Sequence, residues 1–120
     1  MMQVERVDFV SVLTQDLQRA KGFYTETLGL EVESEGASDM ELRCGQVTLD
    51  VFDPSSIGQP FAPSPAGIAL RVDDVDAARA ELEAKGVAFD GETITTDVCK
   101  QAWFKDPDGN ALMLHRRFDA

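Results

Sequence analysis

DFVSVLTQDLQRAKGFYTETLGLEV, residues 8–32, decides the fold. Residues 7–14 (VDFVSVLT) are β-branched and apolar, which predicts a strand. Asp16 then offers a side-chain oxygen to the first turn of a helix. Leu17, Ala20, Tyr24 and Leu28 recur at helical spacing, and Gly29 supplies the stop. Residues 30–33 resume as a strand. The stretch therefore predicts strand, helix, strand.

Working outward, residues 40–44 and 47–52 read as strands joined at Gly45-Gln46, a two-residue hairpin with Gly first. Residues 54–65 are rich in Pro, Ser and Gly and read as a connector with no element of its own. Then the order starts again. Residues 67–72 (GIALRV) predict a strand. Asp74 caps a helix carrying Val75, Ala78 and Leu82, and Gly86 ends it. Residues 87–89, 92–96, 101–105 and 111–115 are the remaining strand candidates. Phe9 aligns with Gly67 and Asp16 with Asp74 at one common offset, so the chain repeats itself. The expected fold is α+β, with two βαβββ modules at about 5–53 and 66–118 within a single domain over residues 1–120. One helix would pack on the back of each curved mixed sheet, leaving the other face for use.

Strand parity says which side chains take which face. A turn over Pro107-Asp108-Gly109 pairs Phe104 with Leu112, Trp103 with Met113 and Gln101 with His115. Phe104, Leu112 and Leu114 are uniformly apolar and belong under the helix. Gln101, Trp103, Met113 and His115 then share the open face. In the first module Met40, Leu42, Cys44, Val47, Leu49 and Val51 go under the helix. Glu41, Arg43, Thr48, Asp50 and Phe52 go to the open face. Val10 and Val12 are assigned inward, with Phe9, Ser11 and Leu13 outward. Ile68, Leu70 and Val72 are assigned inward, with Gly67, Ala69 and Arg71 outward.

The bulk properties exclude several partners. The chain of 120 residues carries 11 Lys and Arg against 22 Asp and Glu, a net charge of -11. That charge repels phosphate backbones and anionic lipid, so neither nucleic acid nor a membrane is an expected partner, whereas a cationic drug would be tolerated. No apolar run reaches membrane-spanning length, and the opening MMQVERVDF lacks a signal-peptide apolar core, which makes the cytoplasm the expected location. Cys44 and Cys99 match no zinc or redox spacing and read as apolar fillers.

Residues 8–32, with the Asp16 cap, Phe23-Tyr24 and Leu28-Gly29-Leu30, resemble the opening of the vicinal oxygen chelate superfamily, the glyoxalase I, bleomycin-resistance and extradiol dioxygenase group. FKDPDGNALML, residues 104–114, resembles its closing hairpin. The resemblance implies a cleft formed by two modules, in many chains of this length across a homodimer. It also implies metal ligands, His or Glu, at four positions, which fall here at Phe9, Asp50, Gly67 and Met113. Only Asp50 offers a ligand for a hard or borderline cation. No metal or other cofactor is therefore expected.

Two main readings stay open. One is a metal-free protein that binds a small, partly aromatic organic molecule. Its cleft would be lined by Phe9, Phe52, Trp103, Met113 and His115, with Ser11, Arg43, Asp50, Arg71 and Gln101 as polar contacts and the Trp103 indole N–H as a handle. The other is an isomerase or lyase, with or without a divalent metal, using Asp50 and His115 as acid and base. A catalytically silent subunit is a third. An Asp50–Arg43 ion pair is one expectation for the first sheet, and Arg116-Arg117 are expected to be solvated.

Overall fold

Asp16 and Asp74 do what their positions predict. The Asp16 carboxylate accepts the Arg19 N–H at 3.1 Å, and Asp74 accepts the Ala77 N–H at 3.0 Å. Each satisfies a donor that a helix start leaves unpaired. Residues 1–118 are described in the computed structural model of the chain, and the chain divides into two compact units, Met1–Ala62 and Pro63–Ala120.

The first unit runs β1 (Phe9–Leu13), α1 (Leu17–Gly22), β2 (Glu31–Glu35), β3 (Asp39–Cys44) and β4 (Val47–Phe52). Its sheet order is β1-β4-β3-β2, with β1 parallel to β4 and the other pairs antiparallel. The second unit runs β5 (Ile68–Arg71), α2 (Val75–Ala84), β6 (Ile94–Thr95), β7 (Cys99–Lys105) and β8 (Ala111–Arg117). Its order is β5-β8-β7-β6, again with one parallel pair, β5 with β8. This is the expected α+β repeat of two βαβββ modules. No helix of the described residues is long and apolar enough to cross a membrane.

The parity reading holds where packing enforces it. Met40, Leu42, Leu49 and Val51 are buried in the first unit together with Val12, Ala20 and Tyr24. Phe104, Leu112 and Leu114 are buried in the second with Val75 and Leu82. The pairs Trp103↔Met113, Gln101↔His115 and Phe104↔Leu112 all form. Gly45 takes φ 65° between the paired residues Cys44 and Val47, as a Gly-first hairpin requires. Cys99 is buried, whereas Cys44 is only half-buried, and burial pushes its thiol pKa up.

Several expectations need correction. Val10 is 37% exposed rather than covered, because it lies near the start of β1, an edge strand. The first helix does not stay regular. The Thr25 hydroxyl donates to the Lys21 carbonyl at 2.7 Å, diverting an acceptor of the helical ladder, and residues Phe23–Thr27 widen into a π-helical turn. The connector contains a 3₁₀ turn, Pro54–Ile57, because Asp53 caps it through the Ser55 N–H and Pro54 fits the first helical position. Residues 87–89 make a single bridge, Phe89↔Phe104, not a strand. Gly91 at φ 81° turns the chain just beyond it.

The DPDGN turn does more than set register. Asp106, itself buried, accepts the Asp108 and Asn110 N–H groups at 2.9 Å each, and the Asn110 side-chain amide at 2.8 Å. The Asn110 side-chain carbonyl then accepts the Ser64 N–H at 2.9 Å, and the Ala111 N–H donates to the Ser64 carbonyl at 2.8 Å. The turn thus clasps the last residues of the connector beside the β7–β8 hairpin.

Candidate functional site

Alternation along β8 places Met113, His115 and Arg117 on the open face of the second sheet. Parallel pairing sets Ala69 beside Met113 and Arg71 beside His115. Antiparallel pairing sets Trp103 and Gln101 on the other side. Together these side chains line an open concavity of about 570 Å³, a volume within the range of small-molecule sites.

Its floor depends on a glycine. Gly67 has φ +75°, and the six-membered ring of Trp103 lies directly over it. A Cβ at this position would overlap Cζ3 of that ring, lie 2.6 Å from its Cη2 and 3.3 Å from the Met113 methyl. Any side chain would therefore displace the indole, and only Gly adopts this backbone without strain. The indole N–H donates to the Gln101 side-chain carbonyl, and the Gln101 amide nitrogen lies 3.8 Å from the Cys99 sulfur. The expected polar handle is thus already engaged, and what Trp103 presents to the concavity is its ring.

The lining is also basic. Arg71, His115 and Arg117 line it, with no Asp or Glu among the described residues that do so. A neighbouring concavity of about 490 Å³ shares Trp103 and is walled by Pro63, Pro65, Ile94 and Lys105. There the Lys105 ammonium lies 2.8 Å from the Asp90 carboxylate.

The open face of the first sheet has a different character. Ser11 pairs with Asp50 in register, and its hydroxyl donates to the Asp50 carboxylate at 3.2 Å. Glu41 stands opposite Asp50 on β3, and Asp39 lies two residues from Glu41 on the same face. Burial raises the Asp50 pKa to about 6; the Asp39 carboxyl and the Glu41 charge add to the rise, and the Ser11 hydrogen bond opposes it. The Asp50 Oδ1 is buried without a hydrogen-bond partner among the described residues. Two ionised carboxylates cannot hydrogen-bond to each other, whereas a protonated Asp50 can donate to Asp39. Arg43 does not pair with Asp50. Its guanidinium reaches Glu31 at 3.3 Å, because Glu31 stands directly opposite on β2 while Asp50 is only diagonal to it. Phe9 is 56% exposed on β1, and Phe52 is half-buried beside Leu13.

The expected site residues therefore fall into two groups, each on its own sheet. Phe9, Ser11, Arg43, Asp50 and Phe52 share the first; Arg71, Gln101, Trp103, Met113 and His115 share the second. Asp50 stands in one unit and His115 in the other, so neither sheet alone joins the suggested acid–base pair. Two contributors escape the residue pattern. Arg117, expected to be merely solvated, lines the concavity, and continuing the alternation 113, 115, 117 would have found it. Asp39 perturbs Asp50, and the alternation 39, 41, 43 would have found that one.

A family model described as the Glyoxalase/Bleomycin resistance protein/Dioxygenase superfamily matches residues 6–114. The chain belongs to this superfamily. It is 32% identical to YaeR of Escherichia coli K12, across 98% of this chain and all of that protein. The crystal structure of TnmS3, an antibiotic binding protein from Streptomyces sp. CB03234, superposes with a TM-score of 0.80 at 33% identity, covering 98% of this chain and 99% of that one. Lactoylglutathione lyase from Agrobacterium tumefaciens gives a TM-score of 0.78 at 21% identity over 95% of each chain, a likeness of fold alone.

The four metal positions that the resemblance implies can be tested against the side chains present. They do not fit. Phe9 and Gly67 carry no donor, Met113 carries a thioether, and Asp50 is the one carboxylate. The Trp103 ring covers Gly67, one of the positions that the resemblance implies. Among the described residues no group of three or more His, Cys, Asp or Glu is arranged to hold a metal ion. His115 shares a face with Met113 but lies two residues on, about 7 Å along the strand.

Proposed function

We propose that this glyoxalase-superfamily protein binds a small, partly aromatic organic molecule without a metal, on the open face of its second sheet. The observation that carries this reading is the Trp103 ring laid over Gly67 beside Met113. An indole face and a thioether form an adaptable, polarisable surface for a flat ring. The same arrangement covers one position at which the superfamily's metal-dependent members need a ligand. The likeness to TnmS3, at 33% identity over nearly the whole of both chains, supports binding over turnover. In this reading Arg71, Gln101 and His115 supply polar contacts. A homodimer sharing the site between subunits belongs to the same reading. Exposed Phe9 and Val10 on an edge strand are the kind of surface a second copy would cover.

A thermal-shift screen with aromatic antibiotics and aromatic metabolites, run with and without chelator, tests the proposal. Stabilisation by at least one aromatic class, unaffected by chelator, is the expected result. Stabilisation by divalent metal alone would contradict it. Sedimentation equilibrium should give a dimer mass.

A second reading, an isomerase or lyase with Asp50 and His115 as acid and base, is favoured by one observation. A carboxyl held at about 6 exchanges its proton close to neutral pH, as a group that works in acid–base chemistry must. If turnover of a bound ligand is found, Asp50→Asn should abolish it while leaving binding within about threefold, and His115→Ala should abolish it as well.

A further inference from the structure

The second-sheet concavity is sorted by chemistry along its length. At one end stand Trp103 and Met113 over Gly67. At the other stand Arg71 and His115, side by side in register, with Arg117 one alternation further along β8. One alternation separates Met113 from His115, roughly 7 Å along the strand. That is about the span of a fused two-ring aromatic from its far edge to a substituent. We infer that the ligand of this site is an aromatic acid, its ring on Trp103 and Met113 and its carboxylate or equivalent anion held by Arg71, His115 and Arg117. The inference rests on the proposed binding function and names the class of ligand for it.

Net charge argues the other way, since a chain at -11 tolerates cations. Distance decides between the two. At physiological ionic strength exposed charges are screened over about 8 Å, so the lining of the concavity outweighs carboxylates elsewhere on the surface. The described lining contains two arginines, a histidine and no carboxylate. Guanidinium groups hold a carboxylate through two parallel N–H donors, a geometry no neutral amide of the same shape reproduces.

Calorimetric titration of the full chain with 2-naphthoate, 2-naphthamide and 2-naphthylmethylammonium at neutral pH tests this directly. The three share a ring system and differ in charge. The naphthoate should bind at least about fivefold more tightly than the amide, and the ammonium more weakly than either. Raising NaCl to about 0.5 M should erase most of the difference. Arg117→Gln, an exposed position, should cut naphthoate affinity several-fold and so shrink the ratio of acid to amide affinity. The salt series needs no variant and stands if that variant folds poorly. Equal binding of acid and amide, or tighter binding of the ammonium, would overturn the anionic assignment and leave aromatic binding standing. Failure of all three to bind would overturn both.

Discussion

The two units repeat one topology and even one register. Ser11 beside Asp50 corresponds to Ala69 beside Met113, and Leu13 beside Phe52 corresponds to Arg71 beside His115. On their hidden faces the two sheets are chemically alike, with Leu42, Leu49 and Val51 in one and Phe104, Leu112 and Leu114 in the other. On their open faces they are opposites. The first gathers Asp39 and Glu41 around the Asp50 carboxyl, whose pKa burial raises to about 6. The second gathers an indole, a thioether and cations over a glycine. Packing holds the hidden faces to one chemistry, because any polar group there would be buried without water. The open faces are under no such constraint, and there the repeat has become two different surfaces.

Substitutions within one hairpin should separate the two faces most sharply. Phe104→Ala empties a fully buried site and should lower unfolding free energy by about 3–5 kcal/mol. Met113→Ala, on the open face, should stay within about 1 kcal/mol. Denaturant midpoints measure both, and comparable losses would break the distinction between faces. Next in size comes the turn. Asp106→Ala strands two backbone N–H groups and the Asn110 amide, a loss of about 2–4 kcal/mol in the same assay.

Equivalent positions of the repeat sharpen the comparison further. Gly67→Ala should destabilise by about 1–3 kcal/mol, from positive φ and overlap with the indole, and should shift Trp103 emission to the red. Phe9→Ala, at the matching position of β1, should change stability by less than about 0.5 kcal/mol in the monomer, since the side chain is 56% exposed. The smallest effect concerns pH. A carboxyl raised from 3.8 to about 6 by folding binds its proton more tightly in the folded state. Its contribution to stability is fully present below about 3.8 and is lost as pH rises through about 6. Asp50→Asn should therefore stabilise at neutral pH by about 1 kcal/mol, the full shift being discounted for solvent screening, and should flatten the decline between those pH values.

The residue pattern makes the topology and the sheet faces legible because both depend on local periodicity. Asp16 and Asp74 announce their helices, and the spacing across DPDGN fixes which side chains of β7 and β8 are partners. Features set by side-chain reach across strands were not legible. Nothing in GIALRV says that Gly67 lies beneath an indole from β7, because that contact depends on how the Trp103 ring is turned. The Arg43 partner stayed open in the pattern because it depends on which neighbour is directly opposite, and β2 rather than β4 supplies it. Arg117 was passed over as a charged tail residue although its parity placed it beside His115.

The central claim is that the second open face holds an aromatic ligand and needs no metal to do so. Calorimetric titration of 2-naphthoate into protein dialysed against EDTA, repeated after adding one equivalent of Ni²⁺ or Zn²⁺, tests that most directly. Saturable binding of equal affinity in all three samples, weakened at least tenfold in Trp103→Ala, is the predicted result. Binding that vanishes on chelation and returns with stoichiometric metal would contradict it.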